Sequence, residues 1–113
     1  MPLVIKSRIV SGVTILDLTG RLWILDLPLR GKVSELLGEG HRRFVLNLSS
    51  VDYVDSSGLG QLVSIWTSIK HRGGHMAILK PSKRVRKLFE ITRLYTIFEI
   101  SEEEQAAIEQ AQK

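Results

Sequence analysis

Between Phe44 and Ile69 the hydrophobic pattern of the chain changes its period. Phe44-Val45-Leu46-Asn47-Leu48 is a nearly continuous apolar run, which suits a strand buried on both faces. From Gly58 onward the apolar residues fall at Leu59, Leu62, Val63, Trp66 and Ile69, the i, i+3, i+4, i+7 spacing of an amphipathic helix. After Gly73-Gly74, Met76-Ala77-Ile78-Leu79 reads as a second short buried strand. Two buried strands joined through a helix form a parallel crossover, and that unit commits the chain to an α/β layer.

The remaining segments extend the same plan. Val4–Ile9 and Val13–Leu18 are β-type runs separated by Ser11-Gly12, a hairpin signal. Asp26 is positioned to cap a first helix, with Pro28 tolerated in its first turn, Val33, Leu36 and Leu37 on its apolar side, and Gly38 and Gly40 closing it. Ser82 caps a third helix that turns Val85, Leu88 and Phe89 inward. A short strand is expected around Tyr95–Phe98, then a capping box, Ser101 with Glu104, opening a last helix through Ala106, Ala107 and Ile108. The expected order is β-β-α-β-α-β-α-β-α: a mixed, mostly parallel sheet flanked by helices, in one domain spanning residues 1–113.

Several function classes are disfavoured by composition. No apolar run is long enough to cross a bilayer, and the first residues lack the pattern of a signal peptide, so a cytoplasmic protein is expected. Without cysteine there is no disulfide framework, thiolate metal site or thiol nucleophile. His41, His71 and His75 lack metal-ligand spacing, Gly58-Leu59-Gly60 is not a dinucleotide fingerprint because Val63 stands where a small residue is needed, and no phosphate loop is present. Neither an enzyme nor a cofactor is expected. The net charge of +4 is concentrated in Lys80, Lys83, Arg84, Arg86 and Lys87, with Arg93 close behind. A solvated helix face accounts for that cluster better than nucleic-acid binding, since aromatics are scarce and Phe89 is core-facing.

One segment carries more than structure: Asp52-Tyr53-Val54-Asp55-Ser56-Ser57-Gly58-Leu59-Gly60 runs from the buried strand into a helix N-terminus. Unpaired N–H groups and a partial positive charge gather there. A Ser or Asp at such a place is first of all a cap, yet the same geometry accommodates a phosphate. On these residues alone, cap and phosphorylation site both stay open.

Asp55-Ser56-Ser57-Gly58-Leu59-Gly60, then Gly73-Gly74, then the stretch Val85–Leu94 with Ile97-Phe98, resemble the STAS pattern of bacterial anti-sigma factor antagonists. Gly20-Arg21-Leu22 and Val45-Leu46-Asn47-Leu48 are similar to its earlier part, so the likeness covers nearly the whole chain in order. It implies a STAS-like fold and a binding module rather than an enzyme. It further implies that Ser56 accepts a phosphoryl group from ATP. The implied kinase is the anti-sigma factor itself, a serine protein kinase of the histidine-kinase-like ATPase fold. Unphosphorylated antagonist binds that partner and frees the sigma factor, phosphorylation releases it, and a PP2C-type serine phosphatase resets it. Within this scheme Asp55 shapes the turn, Ser57 is the cap, Gly58 and Gly60 admit a partner's backbone, and Leu59 belongs to the core side of the motif.

The chain also departs from the pattern. Members commonly read Gly-Glu-Leu-Asp where this chain has Gly20-Arg21-Leu22-Trp23, which makes Arg21 and Trp23 candidate partner contacts. If Trp23 is exposed, the partner differs from the usual kinase; if it is buried, the change is structural. Ile24–Leu29 is apolar enough to form a contact patch. Arg93 stands where Gly is frequent, so either strain or a changed turn is expected. The alternative is a STAS binding module of a stress-signalling scaffold or a membrane-transporter complex, not controlled by Ser56. A homodimer through an exposed β edge or the Trp23 region is compatible with either.

Overall fold

Ser11 and Gly12 turn the chain back on itself with φ of 52° and 78°, the paired positive values of a tight two-residue hairpin. In the computed structural model, which describes residues 3–23 and 28–113, this turn joins β1 (Val4–Val10) to β2 (Val13–Leu22) in antiparallel register. There follow α1 (Pro28–Gly38), β3 (Arg43–Val54), α2 (Ser56–His71), β4 (His75–Leu79), α3 (Lys83–Ile91), β5 (Glu99–Ser101) and α4 (Glu104–Gln112). The five strands lie side by side in chain order, with β2 to β5 parallel. Strands added always in one direction, through crossovers of one hand, place the crossover helices on one face. Accordingly α1, α2 and α3 pack with Leu16, Leu18, Phe44, Leu46 and Ile78 in the main core. Helix α4 covers Val13, Ile15, Val45, Ala77 and Leu79 on the opposite face with Ala107, Ile108 and Ala111. The order and the mixed sheet are those expected from the sequence.

Three local expectations give way. The strand expected around Tyr95–Phe98 is a 3-10 turn at Leu94–Thr96, and β5 begins only at Glu99. Arg93, at φ 60°, reverses the chain after α3, and Thr96 closes the turn by donating its hydroxyl to the Arg93 carbonyl at 2.7 Å. Phe98 alone of that aromatic stretch is buried, its ring edge-to-face with Phe89 at 5.5 Å. Such a pair adds about 0.5–1.5 kcal/mol beyond area burial, so side-chain packing overrides β-propensity here.

The Ser101–Glu104 capping box does not form. Ser101 is the last residue of β5, opposite Leu79, and Glu103 takes the cap position of α4. Glu104 instead reaches Arg8, whose guanidinium also holds Asp17 at 2.7 Å and ties the edge hairpin to α4. Asn47 donates to the same Asp17 carboxylate at 2.7 Å. Ser82 does cap α3, accepting from the Val85 N–H at 3.3 Å. The expected cap of α1, Asp26, lies outside the described residues.

Strand β3 is longer than the apolar run announced. Its pairing with β4 ends at Asn47–Leu79, and from Leu48 on it has β2 alone beside it as a projecting two-stranded ribbon. Two register shifts interrupt that ribbon, between Asp17 and Thr19 and between Gly20 and Arg21. Each inserts an extra residue in β3, so its buried residues Leu48, Val51 and Val54 recur every third position instead of every second. The tip of this ribbon carries the candidate site.

Candidate functional site

Asp55 leaves the last residue of β3 in extended backbone and turns the chain into α2. Its N–H donates to the Leu22 carbonyl at 3.2 Å, which ties the turn to the end of β2. Its Oδ1 accepts from the Gly58 N–H at 2.8 Å. Asp55 is therefore the N-cap, and the cap expected at Ser57 is corrected: Ser57 is already inside the first turn and half-buried. An Asp whose backbone is extended and whose carboxylate lies over the first turn satisfies an orphan N–H and faces the positive helix end.

This arrangement leaves Ser56 free. It is the first residue of α2 and exposed, and its hydroxyl has no hydrogen-bond partner among the described residues. The neighbouring carboxylate does the capping, so the hydroxyl is not spent on the helix.

Gly58 is buried against the chain itself. A Cβ there would lie 2.2 Å from the Leu22 carbonyl oxygen and 3.0 Å from Val54 Cγ1. The close backbone approach foreseen for a partner is made at Gly58 by β2. Gly60 differs: it is exposed, and a Cβ added to it meets nothing within 4 Å. Leu59 packs into the main core. Gln61, not among the residues expected at the site, is buried near the start of α2, and its Nε2 donates to the Trp23 carbonyl at 3.3 Å. The only sequence signal for it was a polar residue inside an otherwise apolar helix stripe.

Beyond Leu22 the ribbon tip presents a second group. Arg21 stands directly opposite Tyr53 in the β2–β3 register. Its guanidinium carbon lies 5.4 Å from the centre of the Trp23 ring and 5.9 Å from that of Tyr53. Arg21, Trp23, Asp52, Tyr53 and Arg84 together line a depression of about 440 Å³. Trp23 is half-buried, so it answers to neither of the two situations considered: one face is covered by an arginine and the residue still reaches the surface. Asp52, Tyr53 and Arg84 join this group only through the bulge and the fold.

The other sequence candidates separate. Val85 and Phe89 of α3 are buried while Lys83, Arg84 and Lys87 are exposed, and Arg86 is paired with Glu102. That is a solvated amphipathic face with one member, Arg84, reaching the depression. His41 pairs with Thr14 Oγ1 at 2.7 Å, and no cluster of potential metal ligands occurs among the described residues. Of the apolar stretch Ile24–Leu29, residues 24–27 lie outside the described residues and Leu29 is buried in the core. No helix is long and apolar enough to cross a membrane among the described residues.

A family model described as the STAS domain matches residues 5–107, and the chain belongs to that family. It is 35% identical over 90 residues to a Thermotoga neapolitana homologue of TM1081, covering 80% of this chain and 73% of the relative. It is 31% identical over 94 residues to the anti-sigma-B factor antagonist of Bacillus subtilis, covering 82% and 85% of the two chains. The crystal structure of TM1081 from Thermotoga maritima superposes with a TM-score of 0.88 at 31% identity, over 96% of this chain and 95% of that one. The fold is also that of the anti-sigma factor antagonist SpoIIAA in its unphosphorylated form, with a TM-score of 0.75 at 24% identity over 91% and 92% of the chains.

Proposed function

We propose that this chain is an anti-sigma factor antagonist, a binding module rather than an enzyme, switched by phosphorylation at Ser56. The observation that carries the switch is the division of labour between Asp55 and Ser56. Asp55 caps α2, and the adjacent Ser56 hydroxyl is exposed and unengaged by the described residues. Homologues named anti-sigma-B factor antagonists support the partner class.

In the proposed reaction the Ser56 Oγ attacks the γ-phosphorus of ATP, the bond to the β–γ bridging oxygen breaks, and ADP leaves. The hydroxyl proton passes to a base on the kinase, because no described side chain hydrogen-bonds the hydroxyl. The kinase is the anti-sigma factor, of the histidine-kinase-like ATPase fold, and a PP2C-type phosphatase hydrolyses the product ester. The setting is cytoplasmic. Gly60 and the Arg21–Trp23 tip complete the binding face around Ser56.

A phosphoserine brings about −1.5 to −2 charge to one point. At the first residue of α2 it sits on the positive end of the helix, so the fold tolerates it. In an interface it is a dianion to be desolvated, and about 1.4 kcal/mol already shifts affinity tenfold. The switch thus acts on the complex and leaves the domain intact.

A pull-down from host lysate with wild-type, Ser56→Ala and Ser56→Asp baits, read by mass spectrometry, tests this. Retention of an ATPase-fold kinase by Ser56→Ala and its loss with Ser56→Asp supports the switch. Recovery of one common partner by all three, such as a scaffold or transporter protein, favours the reading as a STAS module indifferent to Ser56.

A further inference from the structure

We infer that the depression formed by Arg21, Trp23, Tyr53, Asp52 and Arg84 receives a carboxylate-bearing segment of the partner protein and sets which partner is accepted. This inference rests on the binding-module reading and specifies the chemistry of its partner.

The sequence of causes begins with the bulge. The extra residue in β3 at Asp52 shifts the pairing so that Tyr53, not Asp52, stands opposite Arg21. Trp23, one residue past the end of β2 and two beyond Arg21, brings its ring beside the same guanidinium. The guanidinium then lies over both rings, within 5.4 Å and 5.9 Å of their centres. Attraction to the two ring faces holds the guanidinium and leaves its N–H edge unpaired by the described residues. That edge is the bidentate donor fork that matches a carboxylate. The Arg21 guanidinium makes no hydrogen bond or ion pair with the described residues, and neither does that of Arg84, the second cation lining the depression. Attraction to two rings also restrains a long side chain before any partner arrives, which lowers the ordering cost of binding.

The same features choose among anions. A nucleic-acid strand would need aromatic faces on which to stack its bases, and Arg21 already lies over both rings. Asp52 lines the same wall and opposes a chain of closely spaced phosphates, whereas one carboxylate can be seated on the guanidinium edge alone. Two arginines facing one depression likewise repel a basic partner surface, so the patch selects against partners as well as for one.

The test uses the full chain, ¹⁵N-labelled, titrated at physiological ionic strength with an acidic octapeptide of alternating Glu and Gly, a lysine counterpart, and the oligonucleotide dT8. The Trp23 indole N–H and the Arg21 and Arg84 Nε–H signals are followed, with Arg86 and Lys87 as basic controls elsewhere on α3. Saturable shifts at the first three, absent from the controls and weakened at least fivefold by Arg21→Gln or Arg84→Gln, support the inference. Shifts spread evenly over the basic surface, preferential binding of dT8 or of the lysine peptide, or no shift at millimolar peptide would overturn it. The Ser56 baits judge the switch separately: peptide binding at the depression with no Ser56 dependence in the pull-down removes the switch and keeps the pocket. A Ser56-dependent partner with no response at Arg21 does the reverse.

Discussion

Gly58 presses against the carbonyl of Leu22 so closely that a Cβ on it would stand 2.2 Å from that oxygen. The same carbonyl accepts the Asp55 N–H, so the start of α2 is fastened to the end of β2 at two adjacent points. Gly58→Ala should therefore destabilise the domain by roughly 1–3 kcal/mol, the cost of overpacking, even though Ala is the better helix former by about 1 kcal/mol. Urea unfolding should show a lower midpoint at unchanged slope. A midpoint equal to or above wild type would mean that this turn yields freely.

Replacing the cap should separate two neighbouring residues. Asp55→Ala removes the acceptor for the Gly58 N–H and is expected to cost about 0.5–2 kcal/mol. Ser57→Ala, half-buried and without a capping bond, should stay within about 0.5 kcal/mol of wild type. Equal losses in thermal unfolding would reassign the cap.

Acid should loosen the fold where the edge hairpin meets α4. Hydrogen bonds from Arg8 hold the Asp17 and Glu104 carboxyls below their usual range, and burial only partly opposes this. Both folded-state values lie below those of the unfolded chain, so the contribution is present above about pH 4–5 and is lost as pH falls through the lowered values. Arg8 and Glu104 are 39% and 42% exposed, so the effect is screened and of order 1 kcal/mol or less. Arg8→Gln should flatten the dependence of the urea midpoint between about pH 5 and 2. An unchanged slope would show that other carboxylates carry the acid response.

At Arg93 the fold keeps a left-handed turn on a residue with a Cβ, at φ 60°. The left-handed region costs an ordinary residue roughly 1–2 kcal/mol, and glycine returns part of that gain as chain entropy, about 0.5–1 kcal/mol. Arg93→Gly should raise the thermal midpoint by a few degrees, since its side chain makes no hydrogen bond or ion pair with the described residues. A lowered midpoint would assign the arginine a stabilising role through its aliphatic stem.

What the sequence made legible follows from period and its interruptions. Strands β2 and β4 and helices α1, α2 and α3 could be read because their apolar spacing is regular. The outer half of β3 could not, because its bulges turn a two-residue period into the three-residue spacing of Leu48, Val51 and Val54. Ser49 and Ser50 then look like the start of a loop. Tyr95–Phe98 misled through composition, since only Phe98 is buried and the rest belongs to a turn. Glu104 satisfied a capping pattern on paper, but Arg8, distant in sequence, is its partner in the fold.

The site divides the same way. Ser56 and Asp55 were visible as a strand-to-helix junction, and the change of Arg21 and Trp23 stood out against the family pattern. The capping role moved from Ser57 to Asp55, because an extended residue just before the first turn is better placed to reach the Gly58 N–H. Tyr53 and Arg84 could not be joined to Arg21 without knowing the register of the bulged ribbon and the position of α3.

Whether a phosphate on Ser56 dissolves a complex without altering the fold can be decided by one comparison. The affinity of the kinase recovered with the Ser56→Ala bait is measured calorimetrically for the unphosphorylated chain and for the chain phosphorylated at Ser56, with ¹⁵N spectra of both forms recorded alongside. Binding of the phosphorylated form should be at least tenfold weaker, about 1.4 kcal/mol or more, with shift changes confined to the surroundings of Asp55–Gly60. Equal affinities, or shift changes spread through the sheet and α4, would contradict it.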